Sequence, residues 1–317
     1  FGESHGPAVG VLVTGAAPGL PVDREIIRRE LERRAPGGPL ATARHEPDRL
    51  HILSGVYNGH TTGDPICLVL ENRDARSGDY EALRNKPRPG HADYAAWVRS
   101  GGHNDHRGGG PYSGRLTAPL VAAGAMVKAW LKEQDIELKA QVIDENALRQ
   151  QAAEAKADGD TVGGEIACTV TGLPAGLGGP GWREAVESEL ARHLFAIPAV
   201  KALGFGDGAA LAHMRGSRAN DPLRTDGTRV RTVTNHNGGI NGGITNGMPV
   251  VFRLAIKPTA SISQKQETID TDTKENCDLV IKGRHDPCIV QRAIPVVEAA
   301  AAWAILDVCL SEKGRCW

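Results

Sequence analysis

Four short glycine-rich segments concentrate the side chains that could do chemistry. They are Phe1–Gly6 (FGESHG), Arg88–Asp93 (RPGHAD), Arg107–Thr117 (RGGGPYSGRLT) and Gly283–Cys288 (GRHDPC). Each sets histidine, arginine, serine or an acid beside glycine, whose missing side chain lets a ligand approach the backbone and exposes N–H groups to anions. Arg33, Arg34, Arg44, Arg88, Arg115 and Arg284 lie in or beside these segments. Any one of them taken singly is an ordinary solvated loop arginine. As a set, in a chain of formal net charge −1, they point to a pocket for a small polyanion carrying phosphate or carboxylates. His5 beside Ser4, and His91 three residues after Arg88, place proton-transfer groups next to that anion. His45, His51, His60 and His213 lack such neighbours and are taken as structural. Asp286 falls between Arg284 and Pro287, where a structural ion pair with a loop arginine is the plain alternative to a catalytic role.

Other chemistries lack their signatures. No Walker A sequence is present, and no G-x-S-x-G elbow, since Ser4 in GESHG is only superficially similar. Gly204–Gly208 (GFGDG) resembles a dinucleotide turn without a clear strand-to-helix setting. His103 and His106 are three apart but have no evident third ligand, so no metal site is expected.

Composition narrows the class further. The 317 residues are 40% apolar and 24% charged, enough for a sizeable core and against disorder. With 37 basic and 38 acidic residues and only 4% aromatics, neither a basic field nor stacking platforms for nucleic acid are present. Six scattered cysteines form no zinc or redox pair and fit free thiols in a reducing cytoplasm. The most apolar stretch, residues 294–310, carries Glu298 and Asp307 and is expected to be a buried helix rather than a bilayer span. No leader is visible, and Phe1 already stands inside a motif, so residues are expected to precede it.

The elements that must position these groups alternate irregularly. Residues 9–14, 66–70, 165–171 and 250–256 have the β-branched content of strands. Residues 23–34 predict a helix capped by Asp23 and stopped at Pro36-Gly37. Residues 118–133 predict a central helix, and Trp182, Val186, Leu190 and Leu194 an amphipathic one. Residues 144–160, polar and alanine-rich, are expected as a helical insertion within one domain. Without the βαβ rhythm of a doubly wound sheet, an α+β fold is favoured.

Taken together, the segments resemble the signatures of the chorismate synthase family. GESHGPAVGVLVTGAAPGLP is similar to its opening signature, RSGDY (76–80) with RPGHAD to the second, RGGGPYSGR to the third and GRHDPCIVQRAIPVVEA (283–299) to the last. DGDTVGGEIACTVTGLPAGLG and NHNGGINGGITNGMPVVFRLAIKPTASI match between them, so the resemblance runs from residue 1 to about 310.

The resemblance implies a lyase that converts 5-enolpyruvylshikimate 3-phosphate to chorismate by 1,4-anti elimination of phosphate and a ring proton. It requires reduced FMN (FMNH2) without net redox change. It further implies a single large α+β domain over 1–317, antiparallel sheets between helices, a homotetramer and a cytoplasmic site of action. His5 falls on the histidine that protonates the leaving phosphate, His91 on the one facing the flavin, and Asp286 on the aspartate working with flavin N5 in ring-proton removal. Ser4, Arg34, Arg44, Arg88, Ser113, Arg115 and Arg284 fall on substrate-contacting positions. Tyr112, Ser113, Gly114, Pro198, Ala199, Gly242, Lys257, Pro258, Thr259, Ala260, Ser261 and Arg284 fall on flavin contacts. No reductase segment is recognisable, so an external reductant rather than the chain's own use of NADP is expected.

Some positions depart from the family pattern. Leu40 stands where many members have arginine, Pro111-Tyr112 where Arg-Ser is usual, Leu116 for a glutamate and Pro198 for an asparagine, and the stretch from about 138 to 160 is shorter. On these departures rests an alternative, a catalytically impaired homologue that still binds anion and flavin. A nucleic-acid-binding protein is the remaining alternative, opposed by charge and composition.

Overall fold

The structure is a computed structural model, and it describes residues 1–36, 48–73, 83–281 and 286–311. Seven α-helices are described: α1 (Arg24–Arg34), α2 (Asp93–Ser100), α3 (Thr117–Lys132), α4 (Glu145–Ala157), α5 (Val186–Leu194), α6 (Gly216–Ala219) and α7 (Val290–Ser311). The Asp23 carboxylate caps α1 by accepting from the Glu25 and Ile26 N–H groups, a contact worth about 1 kcal/mol. The helix buries Ile27, Leu31 and Arg34 on one face.

The described chain divides into two compact units, each assembled from three separate stretches. The first comprises residues 1–123, 144–163 and 257–292. Its three-stranded antiparallel sheet runs in the order Ala8–Val13, Ile66–Glu71, Leu50–Ser54. The middle strand alternates as expected for a sheet with one covered face, with Ile66, Leu68 and Leu70 fully buried. Asp144 caps α4, the expected helical insertion, through the Ala147 N–H.

The second unit holds residues 124–143, 164–256 and 293–317. Its four-stranded sheet runs Glu137–Val142, Gly164–Thr171, Val250–Ile256, Val200–Phe205, antiparallel throughout. Phe252 pairs with Cys168 across it, and both are fully buried. Burying such an aromatic contributes roughly 1.5–3 kcal/mol. Within this unit α3 meets α7 at Gly124, where a β-carbon would lie 2.3 Å from that of Ala299. The buried alanines 299–302 and 304 give α7 a slim face for that approach.

Two expectations are corrected. Trp182 is 93% exposed and precedes α5, which starts at Val186. The Gly181 carbonyl accepts from the Glu184 and Ala185 N–H groups, forming a turn ahead of the helix. Val186, Leu190 and Leu194 do make its buried stripe. The terminal apolar helix is longer than expected: α7 has 22 residues and a mean hydropathy of 1.8, enough by length and composition to cross a bilayer. Yet 72% of its most apolar window is buried within the protein. Glu298, 3% exposed, accepts there from Lys128 Nζ at 2.5 Å and from the Ala140 N–H at 3.0 Å. Interior packing accounts for this helix.

Candidate active site

The Arg107–Gly110 loop is the centre of the site in the first unit. Gly108, Gly109 and Gly110 take φ of +60°, +99° and +52° in succession, a left-handed path that side chains rarely adopt. Their bare α-carbons admit neighbours. A β-carbon on Gly108 would lie 2.1 Å from His5 Cε1, and one on Gly109 would lie 2.7 Å from His91 Cε1. One dipeptide thus seats both histidines. The loop is tied to the opening segment by Ser4 N–H donating to the Gly110 carbonyl at 3.2 Å and the Ser4 hydroxyl donating to the Arg107 carbonyl at 3.3 Å.

These bonds settle how each ring is held. Ser4 Oγ has given its proton to Arg107, so its lone pairs accept from His5 Nδ1, 3.1 Å away. His5 is 8% exposed. His91 Nδ1 stands 2.5 Å from Asp93 Oδ1. Burial pushes the Asp93 carboxyl up, but hydrogen bonds and charge from Arg88 and His91 outweigh it and hold the group well below the ordinary carboxylate range. An ionised carboxylate only accepts, so Nδ1 carries the proton and Nε2 lies toward Gly109. The 3.2 Å approach of Arg88 Nη2 to the same Nδ1 is then two donors converging on one carboxylate. Arg88 also reaches Asp93 through Nε at 2.7 Å and Nη2 at 2.8 Å, and Ser261 Oγ through Nη1 at 3.3 Å.

Arg34 and Arg115 share another carboxylate. Asp48 Oδ1 accepts from Arg115 Nη1, and its Oδ2 lies 3.5 Å from Arg34 Nη1. Arg34 is further fixed by Thr117 Oγ1 at 2.9 Å and the Gly114 carbonyl at 2.8 Å. Arg115 is fixed by Asn72 Oδ1 at 2.9 Å and the Glu71 carbonyl at 3.1 Å. Asn72 also donates to the Glu3 and Gly6 carbonyls, both at 2.9 Å, linking the opening segment to Arg115. Ser113 Oγ accepts from the Arg115 N–H and caps the short 3-10 turn Gly114–Leu116.

The Lys257–Ser261 run is fastened to the same unit. Lys257 Nζ donates to the Gly90 carbonyl, Ser261 meets Arg88, and Thr259 Oγ1 donates to the Asp286 carbonyl at 3.2 Å. The Thr259 carbonyl accepts from Thr161 at 2.8 Å. Asp286 Oδ2 pairs with Arg292 Nη1 of α7, whose Nε donates to the Arg34 carbonyl at 3.1 Å. Among the described residues Asp286 thus pairs with a helix arginine, while the loop arginine beside it in sequence, Arg284, lies outside them.

Of the expected site residues, the first unit brings together Ser4, His5, Arg34, Arg88, His91, Ser113, Arg115, Ser261 and Asp286 through these contacts. Tyr112 is 38% exposed and ends the 3-10 turn Gly110–Tyr112, whose first turn suits the fixed φ of Pro111. Pro198, Ala199 and Gly242 belong to the second unit. Ala199 takes φ +74°, a strained value for alanine, and Gly242 takes φ +62° in the tight turn joining Ile240–Asn241 to Ile244–Thr245. Leu40, Arg44 and Arg284 lie outside the described residues.

Sequence reasoning passed over Asp48, Asn72, Asp93, Thr117 and Arg292, although Asp93 and Arg292 stand inside the quoted signatures. It also passed over the Glu3, Asp105 and Arg107 group behind the loop. Burial and the neighbouring Asp105 push the Glu3 carboxyl up, while hydrogen bonds from Arg107 chiefly draw Asp105 down to about 2. The metal-like grouping among the described residues is elsewhere, at Glu189, His193 and Asp307, and Arg192 already pairs with both of its carboxylates.

Buried His5 and half-buried His91 on one glycine loop, beside arginines held in fixed forks, suit an enzyme that moves protons on a small anionic substrate. The comparisons agree on which. The family model for chorismate synthase matches residues 1–310. The chorismate synthase of Aeropyrum pernix is 48% identical over 98% of this chain and 90% of its own length. That of Thermococcus kodakarensis is 46% identical over 100% and 96%, and that of Chitinophaga pinensis 47% identical over 99% and 94%. A crystal structure of a chorismate synthase superposes with a TM-score of 0.77 at 25% identity, covering 100% of this chain and 92% of that one. The chain belongs to the chorismate synthase family. Matches of this extent leave the impaired-homologue alternative without support.

Proposed function

We propose that this chain is the lyase that converts 5-enolpyruvylshikimate 3-phosphate to chorismate, and that it does so around His5, His91 and Asp286. The observation that carries the reading is the seating of His5 and His91 on the consecutive glycines 108 and 109, which fixes two proton-handling rings on one rigid turn. His5, its Nδ1 engaged with Ser4, acts as an imidazolium that gives its second ring proton to the departing phosphate and so lowers the cost of expelling it. Arg34, Arg88 and Arg115 orient the anionic groups of the substrate, with Ser4 and Ser113 at their margins and Arg44 and Arg284 carried over from the family pattern. Asp286, placed by Arg292, works in removal of the ring proton.

Reduced FMN, when bound, supplies transient electron density to the substrate as its carbon–oxygen bond breaks. The donor set fits that group: the Lys257 ammonium and the Thr259 and Ser261 hydroxyls suit its phosphate and carbonyl oxygens, and bare Gly90 (φ +72°) admits close approach. Tyr112, Ser113, Gly114, Pro258, Ala260 and Arg284 complete the proposed contacts, and Pro198, Ala199 and Gly242 are proposed from the resemblance alone. His91, with its tautomer set by Asp93, faces the cofactor through Nε2.

One domain is proposed for 1–317, because each unit is built from non-contiguous stretches. A homotetramer accords with exposed Leu223, Val230 and Val233. Cytoplasmic location, an external reductant and no nucleic-acid or membrane partner complete the reading, in keeping with five free cysteines among the described residues. His5→Ala and His91→Ala are expected to keep the native circular dichroism while turnover falls by about 10²–10⁴. Near-normal rates in both variants would sink the assigned roles.

A further inference from the structure

Thr161 has no role in the reading above, yet it is buried, at 7% exposed, where three loops of the first unit meet. It lies just past the end of α4. Its hydroxyl donates to the Thr259 carbonyl at 2.8 Å, in the middle of the proposed flavin run. The Thr259 hydroxyl in turn donates to the Asp286 carbonyl at 3.2 Å. Beside Thr161, the Val162 N–H donates to the Pro287 carbonyl at 2.8 Å, and the Gly159 carbonyl accepts from the Ser263 N–H at 2.8 Å. A β-carbon on Gly159 (φ +68°) would lie 3.2 Å from Ser263 Cβ, so the glycine lets these two loops close on each other. Residues 159–162 therefore grip the flavin run on one side and the loop of the proposed base on the other.

We infer that Thr161 is a positioning residue for both: its hydroxyl, acting through Thr259, fixes the run Lys257–Ser261 against the Asp286 loop and so sets the affinity of the flavin site. The inference rests on the assignment of that run to FMN and of Asp286 to ring-proton removal. Residues 257–261 belong to no helix or strand, so no regular ladder holds their backbone. Thr259 is instead pinned at its carbonyl by Thr161 and through its own hydroxyl to Asp286. Two residues to either side, Lys257 reaches Gly90 and Ser261 meets Arg88. Without the Thr161 hydroxyl the Thr259 carbonyl is short of its donor, and the chain must shift to satisfy it. Donors aimed at a ligand lose much of their effect on displacement by roughly 1 Å. Thr161 itself takes no part in bond breaking.

The test is titration of the full chain with oxidised FMN, followed by quenching of the flavin fluorescence, in the native protein, Thr161→Val and Thr161→Ser. Valine keeps the shape and drops the hydroxyl, whereas serine keeps the hydroxyl. Thr161→Val is expected to weaken FMN binding about five- to tenfold, and Thr161→Ser to stay within about twofold of native. In steady-state assays at saturating FMN and substrate, kcat should fall in the valine variant and return in the serine one. A merely structural role would lower the urea midpoint of Thr161→Val and leave the FMN affinity of the folded chain at the native value. That result would overturn the inference, as would equal weakening in Thr161→Ser. Should the valine variant not fold, Thr161→Ala against Thr161→Ser reads the same quantity. A native chain that binds no FMN would refute the cofactor assignment and the inference with it, whereas native binding left intact in Thr161→Val refutes the inference alone.

Discussion

Gly108 and His5 occupy adjoining space that no other residue type at position 108 would leave open. The glycine adopts φ +60°, and a β-carbon there would lie 2.1 Å from Cε1 and 2.2 Å from Nδ1 of the histidine. Gly108→Ala must therefore shift the loop or the ring. The left-handed backbone alone costs about 1–2 kcal/mol in alanine. The expected outcome is a folded protein with urea midpoint slightly lowered and kcat reduced about 10²-fold, the loss that follows from misplacing a proton donor by roughly 1 Å. Steady-state rates at saturating substrate check it, and an unchanged kcat would detach Gly108 from the placement of His5.

Asp93 ties a tautomer to a pH dependence. Its carboxyl is held well below its ordinary value of 3.8 in the folded protein, burial opposing and Arg88 and His91 prevailing. A depressed carboxyl contributes stability that is complete above the unfolded value and is lost as pH falls through it toward the folded one. The difference in unfolding free energy between the native chain and Asp93→Asn should therefore shrink from about pH 6 to about pH 3. Urea unfolding at both pH values measures it. The same variant should lose about 10–100-fold in turnover, the usual effect of removing a residue that orients a functional histidine.

Lys128 and Glu298 form a largely buried ion pair in the second unit, 18% and 3% exposed by side chain. Lys128→Met strands the Glu298 charge among apolar neighbours and should cost about 3–5 kcal/mol. Lys128→Met/Glu298→Leu should recover much of that, because it removes both charges and gives up the bond from the Ala140 N–H. Chemical denaturation of the two variants compares them directly.

How far the sequence disclosed this arrangement depended on the range of each interaction. Asp23 and the first turn of α1 are local, and both the cap and the helix emerge where expected. Alternation at Val250, Phe252, Leu254 and Ile256 needed only a period of two. The start of α5 was misplaced because Trp182 fits the helical spacing, while the Gly181 turn that ends the loop does not appear in a hydrophobic pattern. The arginines were visible as a set, but their compensation was not. Asp48 is 67 residues from Arg115, and nothing in residue type or spacing marks that pairing. Nor did the sequence mark Arg292 as a partner of Asp286. The Asp48–Arg115 contact exists only once segments far apart in sequence have been folded together.

The roles given to His5, His91 and Asp286 stand on one reaction, and that reaction can be measured directly. The chain is incubated anaerobically with 5-enolpyruvylshikimate 3-phosphate and either oxidised or dithionite-reduced FMN, while phosphate release and chorismate absorbance are followed together. Turnover with reduced FMN alone, phosphate and chorismate appearing in equal amounts, is the predicted result. No chorismate with reduced FMN, although the substrate binds, would contradict the account.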